Sequence, residues 1–184
     1  ASMFPGGIAA LLLQSLHPAA MAGVAGHSGY KSDPWGRLQR TSHYLAVTTY
    51  GTIPDAEAAI ARVRAVHDRV RGKDHRGRPY RASDPRLLTW VHVAETDSFL
   101  RAHQAFGERP LTASEADAYV AQAGVPAALL GVREPPRTVW DLRAALEAYR
   151  PELEVTDAAR EAARFLLAEP PLPLLARPGY GTLV

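Results

Sequence analysis

The residues best suited to chemistry are gathered around one histidine. His67 follows Ala56, Ile60 and Val63 at helical spacing and precedes Val70, so it falls on the apolar stripe of a helix. Arg64 lies three residues before it and Arg71 four after, positions that flank the imidazole on neighbouring turns. Two guanidiniums beside a buried imidazole penalise a further positive charge and favour the neutral ring. A neutral imidazole is the form that ligates a metal, and the two arginines are suited to carboxylates. A lone histidine on an apolar stripe is more often a core residue bonded to a backbone carbonyl, so this reading needs a second element.

That element is a second cluster, in which Arg37, Arg40, Thr41 and Tyr44 recur at steps of three and four and share one helix face. Cations, a hydroxyl and a phenol together suit an anionic or oxygen-bearing ligand; a solvated face paired with acids elsewhere has the same composition. His17 stands immediately before Pro18, where the chain must kink, and serves either a site or the backbone groups the kink exposes. His92 shares a face with Leu88, Glu95 and Phe99, and Glu95 is placed to fix its tautomer. His67 and His92 could also form a zinc site with acids, although neither belongs to an H-E-x-x-H arrangement.

The elements that would position these groups read as helices. The segment Gly7 to Leu16 is apolar nearly all round, and a second short helix runs from Pro18 to Gly26. Asp33-Pro34 caps a helix that ends near Gly51, and Thr52 with Pro54 opens one predicted to continue to Gly72. Lys73 to Ala82 is a charged loop or small hairpin. Ser83-Asp84-Pro85 starts a long helix that stops at Gly107, Thr112 and Glu115 form a capping box, and Thr138 and Thr156 open two further helices. Strand-like alternation is almost absent. The expectation is an all-α chain forming one domain over residues 1–184.

Composition limits the alternatives. The 184 residues hold no cysteine, which excludes disulfides, thiolate metal sites and iron–sulfur clusters. Net charge is only +2 and the arginines are dispersed, so the basic pI of about 9.1 is no argument for nucleic acid. The longest apolar stretch, from Ile8 to Val24, is broken by Gln14, Ser15, His17 and Pro18 and reads as buried helix rather than a membrane span. A cytoplasmic setting is the expectation.

Five separated segments, in order, carry a resemblance. Leu13-Gln-Ser-Leu-His17-Pro18 through His27-Ser28, Arg37-Leu-Gln-Arg40-Thr41, Arg64-Ala-Val-His67-Asp-Arg-Val-Arg71, Asp84-Pro-Arg-Leu-Leu-Thr-Trp90-Val-His92 and Leu129-Leu-Gly-Val132 resemble the latex-clearing (rubber oxygenase) and mpaB-type oxygenase family from about Leu11 to Leu167. The resemblance implies a haem b protein with a globin-like core and His67 as the proximal iron ligand. It puts Arg64 and Arg71 around that histidine, with Arg37 and Thr41 on the distal side of the cofactor, and it implies dioxygen and a small apolar organic substrate; His92 is expected to help bind the cofactor as well. Two departures stand out. Arg40 replaces a lysine that can take the distal iron position, and a guanidinium that stays protonated is a hydrogen-bond donor, not a ligand. No acid lies between Ala1 and Tyr30, where the rubber enzymes carry a glutamate base, so cleavage of polyisoprene is not expected and base work falls to His17 or His27. Family members continue with further helices beyond the point matching Val184.

Three functions follow for comparison: a haem-dependent oxygenase with Arg40, Thr41 and His17 at the reacting centre, a haem carrier, sensor or peroxidase-like protein with the same ligand, and a metal-free helical interaction module.

Overall fold

The computed structural model describes residues 2–27 and 33–168, without the side chains of Pro34, Trp35, Arg37 and Leu38. Its helices are α1 (Met3–Ser15), α2 (Pro18–His27), α3 (Pro34–Tyr50), α4 (Ile53–His67), α5 (Pro85–Phe106), α6 (Ala113–Leu130), α7 (Val139–Tyr149) and α8 (Asp157–Leu167). A small antiparallel hairpin of β1 (Arg71–Lys73) and β2 (Pro79–Arg81) sits between α4 and α5, and a single 3-10 turn, Arg150–Glu152, follows α7.

The starts of these helices follow from side chains that satisfy their free amides. Asp33 accepts from the Gly36 amide, Asp84 from those of Arg86 and Leu87, and Thr52, Thr138 and Thr156 from amides three residues on. Thr112 and Glu115 form the expected reciprocal capping box, and Thr138 with Asp141 forms a second. At His17-Pro18 the axis turns by 108°, as the residue before proline demands. Among the described residues no single helix is long and apolar enough to cross a membrane, though the bent pair α1–α2 passes that test together.

Helix α5 is the centre of the packing. Its Trp90, Val93 and Ala94 are fully buried, and the cluster around them draws on Ala116 and Val120 of α6 and on Leu142 and Tyr149 of α7. Helix α1 lies along α5 at close range because Gly6 has no side chain. A Cβ there would stand 2.6 Å from Cδ1 of Phe99. Reciprocal bonds fix the register, with the Trp90 indole donating to the Gln14 carbonyl and the Gln14 amide donating to the Val91 carbonyl, each at 3.3 Å. Helices α5 and α6 pair Leu88 with Ala127, and α6 ends at Gly131, whose φ of 121° suits glycine.

Helices α3 and α4 form a hairpin across Gly51 and Thr52, attached to the rest mainly through α4 on α6. The apolar stripe of α4 is as expected, with Ile60 buried, Ala56, Val63 and His67 half-buried, and Ala59 added to it. Its end is not. The helix stops at His67 rather than Gly72, because Val70 accepts from the Ala82 amide and the chain enters β1. Gly72 then pairs with Tyr80, and its missing side chain leaves room for that phenol, whose oxygen lies 2.8 Å from where a Cβ would be. The fold is predominantly helical, with this hairpin as the addition to the all-α expectation.

Candidate active site

His67 is the last residue of α4, and its ring is half-buried. Nδ1 is sealed from solvent with no hydrogen-bond partner, and among the described residues neither ring nitrogen is bonded. Burial holds the imidazole below its ordinary value, and the neighbouring Asp68 carboxylate opposes this only in part. The ring is therefore neutral at pH 7, as expected, but for a different reason. The two arginines do not drive the shift. Arg64 is exposed and extends its guanidinium to the Leu129 carbonyl at the end of α6, 3.4 Å away. Arg71 is not on the same helix at all. It stands exposed in β1 opposite Arg81, because α4 ends before reaching it.

On α3 the polar face is present, but its members differ in setting. Tyr44 is half-buried, whereas Arg40 and Thr41, nearer the start of the helix, are exposed. Arg40 forms an ion pair with Asp33 at 3.1 Å, with 65% of its side chain accessible. Arg37 shares this face by helical spacing, and its side chain lies outside the described residues.

His92, one turn beyond Leu88 on α5, is half-buried and pushed down to about 4 by burial alone. Its Nδ1 meets the Thr96 hydroxyl at 3.4 Å, and its Nε2 is sealed without a partner. The expectation that Glu95 would orient this ring is thus replaced by Thr96. The paired zinc reading finds no support, since no group of three or more histidine and acidic side chains among the described residues is placed to hold a metal.

His17 belongs to a separate cluster. Its Nε2 lies 3.6 Å from Glu152, which Arg86 also grips, and its ring stands 6.1 Å from Trp90 and 6.4 Å from Tyr149. The side chain is 12% accessible and Nδ1 is sealed and unpaired. Desolvation lowers its affinity for a proton despite the nearby carboxylate. Its neighbours describe a buried joint that ties the α1–α2 kink to the turn after α7. His27, at the end of α2, is exposed.

Sequence reasoning passed over one group. Glu95, half-buried on α5, makes no hydrogen bond and no ion pair among the described residues. Its charge is felt by Tyr44 of α3 and Tyr119 of α6, so three helices bring a carboxyl and two phenols within electrostatic reach. Burial raises the carboxyl to about 7 and Tyr44 to about 12, and moves Tyr119 upward as well. The available signal was the i, i+3 spacing of His92 and Glu95, read as support for the histidine rather than as a group in its own right.

A groove of about 1280 Å³ runs between α1, α5, α7 and α8, floored by residues such as Ile8, Leu12, Ala102 and Leu146. None of the residues predicted to carry the chemistry lines it. The half-buried imidazole of His67, an unengaged neutral ring at the end of a helix, lies outside this groove.

A family model for the ER-bound oxygenase mpaB/B'/rubber oxygenase catalytic domain matches residues 1–184, the whole chain. The chain belongs to this oxygenase family. No curated protein and no solved structure matches it. As a member of the family it is an oxygenase catalytic domain, for which dioxygen and a substrate are implied. The segments on which the resemblance was read lie on different elements, with His17-Pro18 at the first kink, Arg40-Thr41 on α3, His67 at the end of α4 and Trp90 to His92 on α5.

Proposed function

We propose that the domain is a haem b-dependent oxygenase acting on a small apolar organic substrate, in which His67 would be the protein ligand to the iron and the helices would form a globin-like core around the cofactor. The observation that carries this reading is the His67 ring itself. It is neutral, half-buried and, among the described residues, without a hydrogen bond on either nitrogen, although a buried imidazole nitrogen left unpaired costs about 1–3 kcal/mol. A histidine kept purely for packing would normally spend one nitrogen on a backbone carbonyl.

In this reading, haem supplies the dioxygen chemistry, and the protein supplies orientation, polarity and protons. Arg64 and Arg71, both exposed, offer guanidiniums to carboxylates, and Arg37 is placed by spacing to do the same. Arg40 and Thr41 stand on the α3 face that also carries Tyr44. Releasing Arg40 from Asp33 is inexpensive, since an exposed ion pair is worth about 0–1 kcal/mol, so its guanidinium is available as a donor to an oxygen-bearing ligand. His92, held neutral near 4, adds an uncharged wall rather than a second cation.

A haem carrier or sensor is favoured by one specific observation, the exposure of Arg40 and Thr41. Absorption spectroscopy of the purified full chain tests both readings at once. A Soret band that disappears in His67→Ala assigns the ligand, and oxygen uptake with apolar substrates separates oxygenase from carrier. A chain that never acquires the band under haem supplementation refutes the haem reading, whatever its family.

A further inference from the structure

The geometry points to the groove between α1, α5, α7 and α8 as a binding site for a long-chain carboxylate, with the alkyl chain along its apolar floor and the head group held by Arg143 and Arg164. It is separate from the His67 site, and no residue proposed to hold haem lines it.

Its shape suits a chain. The groove holds about 1280 Å³, above the roughly 300–1,000 Å³ of ordinary small-molecule pockets. Its wall on α1 runs from Pro5 to Leu16, which at the usual helical rise spans roughly 16 Å. The floor is apolar, with Ile8 and Leu12 from α1, Leu146 from α7 and Ala163 from α8. Phe106, Val155 and Leu167 also line it, and all three are large apolar side chains left exposed. Scattered singly, such side chains would need no explanation; gathered at one concavity, they mark a binding surface.

The polar groups of the floor are already engaged. The Ser15 hydroxyl donates to the Leu12 carbonyl and the Ser98 hydroxyl to the Ala94 carbonyl, each at 2.7 Å, and the Trp90 indole donates to the Gln14 carbonyl. An extended peptide laid here would bring backbone carbonyls that need donors, and these three groups have none to give. An alkyl chain makes no such demand.

Charge at the groove selects the head group. Five arginines line it against two acids, Asp97 and Glu147. Arg101 holds Asp97 at 2.6 Å and Arg150 holds Glu147 at 3.1 Å, while Arg160 turns to Asp157 at 2.8 Å. Arg143 of α7 and Arg164 of α8 are left, both exposed and both without a side-chain partner among the described residues. Two uncommitted guanidiniums beside one apolar floor complement a carboxylate, which accepts paired N–H bonds from such forks, and they repel a cationic head. A neutral apolar molecule would leave them unused.

Equilibrium dialysis of the full chain tests this, with dodecanoate below its micelle concentration and dodecan-1-ol as the uncharged chain of equal length. The wild type should take up one dodecanoate per chain, about tenfold more tightly than dodecan-1-ol, and less tightly as salt is raised. Arg143→Gln with Arg164→Gln should remove that advantage and leave dodecan-1-ol binding nearly unchanged. Ala9→Trp, at an exposed position on the groove wall, should abolish uptake of both at unchanged helical circular dichroism. Equal affinity for acid and alcohol in the wild type, dodecanoate uptake that survives Ala9→Trp, or no uptake at all overturns the proposal. So does a chain that takes up no monomeric dodecanoate but pellets with vesicles of anionic phospholipid, or one that forms a dimer dissolved by Ala9→Trp. None of these outcomes bears on the haem reading, whose test is the absorption spectrum.

Discussion

Replacing Glu95 by glutamine should change how stability depends on pH more than it changes stability itself. The carboxyl is held at about 7 in the folded protein against an ordinary 4.5. The folded chain therefore keeps a proton that the unfolded chain has released between those two values, and stability falls as pH rises through that window and levels off above it. At about 1.36 kcal/mol per pH unit, a displacement of this size corresponds to roughly 3 kcal/mol; water reaching a half-buried group reduces that to about 2 kcal/mol. The wild-type curve alone does not reveal the effect, because His92 acts in the opposite direction. Its folded value near 4 lies below the ordinary 6.5, so the unfolded chain binds the extra proton and stability rises with pH between them. His17 and His67, both lowered by burial, act in the same direction as His92. These opposing slopes overlap and largely cancel. The difference between wild type and Glu95→Gln removes the histidines and isolates the carboxyl. Urea unfolding followed by the fluorescence of buried Trp90 should give nearly equal stabilities at about pH 5, where Gln and the neutral acid are isosteric, and a variant more stable by about 2 kcal/mol at about pH 8. For a chain of this length that is a gain of roughly 4–8 °C in Tm. A difference that stays flat across pH refutes the argument.

Three contrasts test the remaining assignments. Gly6→Ala and Gly7→Ala add the same methyl to adjacent positions of α1, and each gains about 1 kcal/mol of helix propensity. At Gly6 the methyl meets the Phe99 ring, whereas at Gly7 nothing lies within 4 Å. Thermal melts should show Gly7→Ala neutral to stabilising and Gly6→Ala destabilised by about 1 kcal/mol net of propensity, since overpacking costs roughly 1–3 kcal/mol. Arg40→Ala should leave stability within about 1 kcal/mol and haem content nearly intact while altering oxygen or ligand binding; haem loss in this variant would place Arg40 on the wrong side. Asp33→Ala removes the cap of α3 as well as the ion pair and should cost about 1 kcal/mol in urea titrations, more than Arg40→Ala.

Local chemistry was legible in the sequence wherever it was written in adjacent residues. Asp84-Pro85, the Thr112–Glu115 box and the His17-Pro18 kink each specify their own geometry within a few residues, and each is found where expected. The end of α4 was not legible, because it depends on a partner twelve residues downstream. Val70 leaves the helix to pair with Ala82, and that pairing carries Arg71 into a strand. Glu95 was misread for the same reason. Helical spacing ties it to His92, but its electrostatic neighbours are Tyr44 and Tyr119, which tertiary packing brings to it from helices far away in sequence. Periodicity reports which face a residue occupies and says nothing of what that face meets.

The three sealed imidazole nitrogens separate the histidines by role. A neutral ring has one donor nitrogen and one acceptor nitrogen, and leaving the acceptor unmet is the lesser penalty. His17 can direct its donor from Nε2 toward Glu152, so its sealed Nδ1 is the acceptor, and a structural role accounts for the whole ring. His92 can direct its donor from Nδ1 to the Thr96 hydroxyl, which leaves its sealed Nε2 as the acceptor by the same logic. His67 has no such resolution. Nδ1 is sealed and Nε2 has no partner among the described residues, so whichever nitrogen carries the proton, those residues satisfy neither. A buried Nδ1 without a partner is costly for packing, and the proposed ligand role would account for it. Among the described residues, His67 is the one of the three whose ring has no protein partner on either nitrogen, and the proposed ligand role rests on that difference.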